Sequence, residues 1–163
     1  MQNLLLIKVY PERSRRAVSF FELIIVLAII GMIAAITIPM MKNYLPSWQL
    51  SGSSRALVNN LRQAQEEAVT TQVQHRVKFF NPTAPPVTYE LFKIGATEPL
   101  EVITMPSNIT VTGTDGVPLD NTFSDNQVIF SSDGGPSANG DIVITLGEAT
   151  KTINISPAGV IKL

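Results

Sequence analysis

From Leu23 to Met41 the chain reads LIIVLAIIGMIAAITIPMM, nineteen residues without a charge. At ~1.5 Å of rise per helical residue the run spans about 28 Å, close to the ~30 Å hydrocarbon core of a bilayer. A helix buried in a soluble domain seldom stays apolar around its whole circumference for so long. The pattern predicts one membrane-spanning helix. After Pro46 it changes to one-sided helical spacing. In SWQLSGSSRALVNNLRQAQEEAVTTQ, Leu57, Leu61, Ala64 and Ala68 form a single apolar stripe, with Ser53 or Ser54 placed to cap its start. Pro46 and Gly52 predict a break between the two helical pieces. Trp48, just past the span, reads either as an interfacial anchor or as a residue packed on the following domain.

From Gln74 onward short alternating segments replace the helical period. Predicted strands are His75–Phe80, Val87–Ile94, Leu100–Met105, Asn108–Thr112, Gln127–Ser131, Asp141–Leu146, Lys151–Ile155 and Gly159–Lys162. Breakers such as NPTAPP, GTDG, SDGGPSANG and SPAG separate them, the spacing of an antiparallel β-domain. Residues 81–86 and 113–126 read as exposed loops. The fold class is α+β: a long N-terminal membrane-spanning helix leads into an amphipathic helix packed on antiparallel β-sheets. The organisation is a basic leader over 1–17, the span over 18–41, a linker and amphipathic helix over 42–73, and the β-domain over 74–163.

Charge gives the span a direction. Residues 1–17 hold Lys8, Arg13, Arg15 and Arg16 against Glu12, whereas the remainder holds eight basic residues against twelve acidic ones. A basic flank before the span places the N-terminus in the cytoplasm and residues 43–163 outside. An ordinary cleaved signal would have a shorter apolar run ending at a small-residue site, but here Ile36–Met41 continue past Ala34 and Ala35.

Chemistry has little to work with. The absence of cysteine excludes disulfides, thiolate metal sites and thiol nucleophiles. His75 is the only histidine, begins a predicted strand beside Arg76, and reads as a solvated strand residue. In the loop SDGGPSANGD, Asp133, Asn139 and Asp141 offer oxygen donors, but their spacing is not that of an EF-hand loop, and a glycine-rich hairpin is the plainer reading. Adjacent Glu66 and Glu67 read as solvated helix surface. No catalytic constellation, cofactor site or small-molecule site emerges.

Glu22 is the one anomaly, a carboxylate at the very start of the apolar run. In the bilayer it costs on the order of 3 kcal/mol, which the ~0.3–0.6 kcal/mol gained by each strongly apolar neighbour can offset. It is either tolerated at interface depth or waits for a positive partner inside the membrane.

The stretch Ala17-Val18-Ser19-Phe20-Phe21-Glu22, followed by LIIVLAIIGMIAAITIP, resembles the class III signal of type IV pilins and type II secretion pseudopilins. In that family a prepilin peptidase cuts after a small residue, normally Gly and here Ala17, and methylates the new N-terminal amine, here on Val18. Glu22 stands four residues beyond Val18, where the family places its assembly glutamate. Gly31 and Pro39 fall where pilins carry a helix glycine and a helix proline, positions of packing and kinking. The resemblance implies that the Val18 amine pairs with Glu22 of the same or a neighbouring subunit, offsetting two charges in low dielectric. It further implies a single-pass protein of the bacterial inner membrane with a periplasmic domain, whose partners are the peptidase and other pilins or pseudopilins.

The C-terminal order FSSDGG, NGDIVITL, KTINISPAGVIKL, with RALVNNLRQAQEEAVTTQ before the first strand, is similar to the GspH/FimT minor pilin and pseudopilin family. That implies a structural subunit of a secretion pseudopilus or a pilus rather than an enzyme. The alternative is DNA binding in natural transformation, as for FimT-like members. Nucleic acid needs a basic patch, which the acidic exported part argues against unless Arg55, Arg62, Arg76 and Lys78 cluster.

Overall fold

The computed structural model describes residues 19–113 and 116–163; the expected cleavage junction at Ala17 and Val18 lies outside them. The chain falls into two compact units, one ending at Met40 and one running from Met41 to Leu163.

Helix α1 spans Phe20–Thr71. Ser19 opens it. Its carbonyl accepts the first helical bond, from the Leu23 N–H at 3.1 Å, and its Oγ accepts from the Phe21 N–H at 3.4 Å, a donor that the first helical turn leaves unpaired. Thr37 is the one polar side chain between Leu23 and Ile38. Its hydroxyl donates to the Ile33 carbonyl at 2.8 Å, so no polar group in this stretch needs water.

The break expected at Pro46 and Gly52 does not occur: α1 continues through both, as it does through Pro39. An internal proline costs ~3 kcal/mol. Downstream burial offsets that cost, since Leu50, Leu57, Leu61, Ala64 and Ala68 are all sealed from solvent and tertiary packing of one face is what holds most protein helices. The expected serine cap is also corrected. Ser54 lies buried inside the helix, its hydroxyl donating to the Leu50 carbonyl at 2.7 Å.

In the second unit α1 is followed by β1 (His75–Phe80), β2 (Thr88–Lys93), β3 (Glu101–Thr104), β4 (Ile109–Thr112), α2 (Leu119–Thr122), a short 3-10 turn (Ser124–Asn126), β5 (Gln127–Phe130), β6 (Gly140–Leu146), β7 (Ala149–Ile155) and β8 (Ile161–Lys162). All eight predicted strands are present. They form two four-stranded sheets, ordered β3-β2-β1-β5 and β4-β6-β7-β8, with every neighbouring pair antiparallel.

Alternation along each strand decides which side is buried. Val77 lies opposite Leu91 on one side and Val128 on the other, and these face inward with Phe79, Tyr89 and Phe130. From the second sheet Ile109, Val111, Ile142, Ile144, Ile153 and Ile155 join the same core as the α1 stripe. The segment 113–126, expected as an exposed loop, instead contributes to that core. Apart from residues 114 and 115, which lie outside the described set, it carries α2 and the 3-10 turn, and Leu119 and Phe123 are fully buried. Their i, i+4 spacing puts both on one side of a single turn. The loop over 81–86 is exposed as expected, with Pro82 half-buried.

Candidate functional site

The residues Phe20–Ile38 are long and apolar enough to cross a membrane, and none is buried. Glu22 lies in the first turn of α1 and is exposed. Between residues 18 and 41 it is the sole charged residue. Its setting also shows something the sequence reading missed. Ser19 and Glu22 stand at the Ser-x-x-Glu spacing of a capping box, and the positive end of the helix dipole favours a carboxylate there. A Cβ added at Gly31 would meet nothing within 4 Å. Among the described residues no contact requires glycine at that point, although glycine costs ~1 kcal/mol against alanine in a helix. Pro39 lies inside α1.

Titratable groups in the β-domain serve the fold. His75, expected to be solvated, is buried at 1% exposure. It starts the central strand β1, between Lys93 of β2 and Phe130 of β5. Its Nδ1 lies 2.8 Å from the Val73 carbonyl, so Nδ1 carries the proton and donates. Tyr89 is buried with its hydroxyl accepting from Asn60 Nδ2 at 2.9 Å. Desolvation pushes its pKa up to about 12, more than the Asn60 hydrogen bond lowers it.

Three of the four candidate basic residues have partners of their own, and Arg76 and Lys78 share the outward face of β1. Arg62 donates to the Ile161 carbonyl of β8 at 3.0 Å. Lys78 pairs with Asp125 at 2.8 Å. Arg76 lies over the Phe92 ring at 4.7 Å and donates to Gln127, and Arg55 is exposed on α1. The candidate calcium donors are likewise spoken for separately: Asp133 accepts from the Gly135 N–H, and Asp141 from Asn154. Among the described residues no three His, Asp or Glu side chains gather as a metal site.

The loop holding Asp133 is tied to the helix by Gln65, which the sequence reading did not single out. Its Nε2 donates to the Gly134 carbonyl at 2.7 Å and the Gly159 carbonyl at 3.0 Å, clamping the β5–β6 and β7–β8 turns against α1. Beside this clamp an open groove of about 650 Å³ is lined by Glu66, Val69, Thr70, Asp133 and Pro157 among others. Glu66 is exposed there and Glu67 half-buried.

Residues 53–159 match a family model described as Type II transport protein GspH. Among solved structures the chain is similar to the type IV minor pilin FimU of Pseudomonas aeruginosa in two crystal forms. The first gives a TM-score of 0.57 at 17% identity over 70% of this chain and 87% of FimU; the second gives 0.54 at 16% over 69% and 90%. At that identity the likeness is one of fold, the α+β pilin-like arrangement. No curated protein sequence matches the chain.

Proposed function

The chain belongs to the GspH family of type II transport proteins, and on that footing we propose that it is a minor pseudopilin or minor pilin, a structural subunit of a secretion pseudopilus or a type IV pilus. The observation that carries this reading is the contrast between its two units. The core of the second unit is complete with residues from Leu50 to Ile161, while the helix over Phe20–Ile38 leaves every side chain outside any core. A helix apolar on all sides, none of whose residues is buried among the described residues, needs lipid or other helices around it.

In this reading residues 20–38 anchor the subunit in the inner membrane, with the leader cytoplasmic and residues 43–163 periplasmic. Prepilin peptidase cuts after Ala17 and methylates Val18. The new cationic amine and the Glu22 carboxylate neutralise each other within or between subunits, which lowers the cost of both in low dielectric. The open surface at Gly31 lets a neighbouring helix approach closely, and Pro39 supplies local looseness by removing one backbone bond. The partners are other pseudopilins or pilins. The acidic balance of the exported part and the separate engagements of Arg62, Arg76 and Lys78 leave the DNA-binding alternative without a specific support.

Intact-mass measurement of the membrane-extracted protein tests the processing. A mature chain starting at a methylated Val18 is expected; a chain starting at Met1 in cells with active peptidase refutes it.

A further inference from the structure

An open sheet ends in strands whose outer backbone groups must find partners or water. Among the described residues the two sheets have four such edges, β3 and β5 in one, β4 and β8 in the other. Three are closed by the chain itself. The Ile129 carbonyl of β5 accepts from the Ser137 N–H at 2.7 Å, and the Val111 N–H of β4 donates to the Pro82 carbonyl at 2.6 Å. On β8 the Ile161 carbonyl accepts from Arg62 at 3.0 Å.

The fourth edge, β3, stays open. Its register sets Val102 opposite Glu90 and Thr104 opposite Thr88. Bonded and non-bonded pairs alternate along an antiparallel ladder, and the Met105 N–H donates to the Val87 carbonyl. Ile103 and Glu101 therefore bond to β2, while the N–H and C=O of Val102 and Thr104 point to the outer side. Among the described residues no group bonds to them there. Ile94, Leu100 and Val102 around this edge are exposed by 38%, 55% and 54%.

Charge says what fits. No basic residue occurs between Lys93 and Lys151, while Glu98 and Glu101 are exposed at this edge. A second copy of β3 would bring carboxylates and no cation. It would also bring Pro99 and Pro106, which flank the strand and have no N–H to give. A different chain has neither handicap. Aliphatic side chains at alternate positions would cover Leu100 and Val102, and a lysine or arginine would stand beside Glu101.

We propose that β3 is a strand-addition site, at which an extended segment of a neighbouring, different filament subunit pairs with Val102 and Thr104 and sets a basic side chain beside Glu101. Two rungs hold a free peptide poorly, but they orient a subunit that other contacts already keep close. This inference rests on the reading of the chain as a subunit of such a filament.

Hydrogen exchange reads the two amides directly. The full chain is compared in detergent by itself and as extracted together with the other filament subunits. By itself it should exchange Val102 and Thr104 near the unstructured rate, and in the complex both should slow about a hundredfold. Amides that stay open in the complex overturn the proposal. Amides already protected in the isolated chain overturn it as well, because the edge is then covered without a different subunit. Thr104→Pro is the matching variant. It removes only the N–H that β2 does not use, after an Ile103 that is already extended, so the thermal midpoint should hold. Co-purification with the other subunits should fall about tenfold; a folded variant that co-purifies like the wild type overturns the proposal. Glu101→Lys should weaken the same complex about fivefold, and no loss overturns the charge assigned to the partner. A wild-type chain that co-purifies with no pilin or pseudopilin refutes the subunit reading and takes this inference with it.

Discussion

A Cβ placed on Gly159 would lie 2.8 Å from the carbonyl oxygen of Gly134. These two glycines belong to different turns, and both take positive φ, +78° and +83°. The sheet carrying β6, β7 and β8 and the sheet carrying β5 are thus brought together at their turns through bare backbone, and the Gln65 amide fills both carbonyls. Gly159→Ala adds a clash with backbone to a left-handed strain. It should cost the domain on the order of 2–3 kcal/mol. Gly147, with φ +62° and open space around it, is the control: alanine there should cost about 1 kcal/mol through strain alone. Urea midpoints of residues 43–163 measure both, and equal costs would remove the close contact from the account.

Gln65→Ala removes the donor while leaving two carbonyls that water can reach through the groove. A loss of about 1–2 kcal/mol is expected, below that of Gly159→Ala. A loss at or above the glycine variant would mean that the clamp, rather than the backbone contact, dominates the joint.

Residues 43–163, freed of the span, should form a soluble monomer. The core draws on α1 from Leu50 onward, on both sheets and on Phe123, all within this fragment. Light scattering should give a monomer and circular dichroism a mixture of helix and strand; aggregation or a coil spectrum would show that the span completes the core.

Tyr89 gives the domain an alkaline limit. Its hydroxyl is raised from 10.0 to about 12, so the fold binds a proton that the unfolded chain releases sooner. The stabilisation is fully present below pH 10 and is lost as pH rises toward 12, by at most ~1.4 kcal/mol per pH unit. Tyr89→Phe should flatten that part of the pH profile while costing about 1 kcal/mol at neutral pH for the bond from Asn60. An unchanged alkaline slope would assign the loss to other groups.

What could be read in advance follows from which signals are local. All eight strands were legible because alternation and turn residues sit within each segment, as in His75–Phe80 between Gln74 and Asn81. The stripe from Leu57 to Ala68 was legible by its period. The continuity of α1 through Pro46 was not, because a proline penalty is local and the burial that outweighs it is tertiary. The same holds for His75, whose burial depends on β2 and β5 arriving on both sides. Leu119 and Phe123 looked like loop residues because one helical turn is too short to show a period. Gln65 carries no signal at all in sequence, since its partners are backbone carbonyls far along the chain.

Glu22→Ala should impair filament assembly while leaving membrane insertion and leader removal largely intact. Removing the carboxylate makes the span more apolar, so insertion is favoured if anything, and the peptidase still meets the basic leader and Ala17. On the proposed pairing with the Val18 amine, what is lost is the low-dielectric partner of a terminal amine, and an unpaired buried charge can cost ~3–5 kcal/mol. Co-purification with the other filament subunits should fall accordingly. The capping-box spacing from Ser19 supplies a rival account, in which Glu22 merely secures the first turn of α1. Glu22→Gln separates the two. Glutamine serves a capping box as well as glutamate does and keeps the size, but it cannot neutralise an amine. If the charge pair is the mechanism, the Gln variant fails like the Ala variant. If Gln assembles and Ala does not, the helix start is what matters. If both assemble, Glu22 is a tolerated interfacial residue and the pairing with Val18 has no part in assembly.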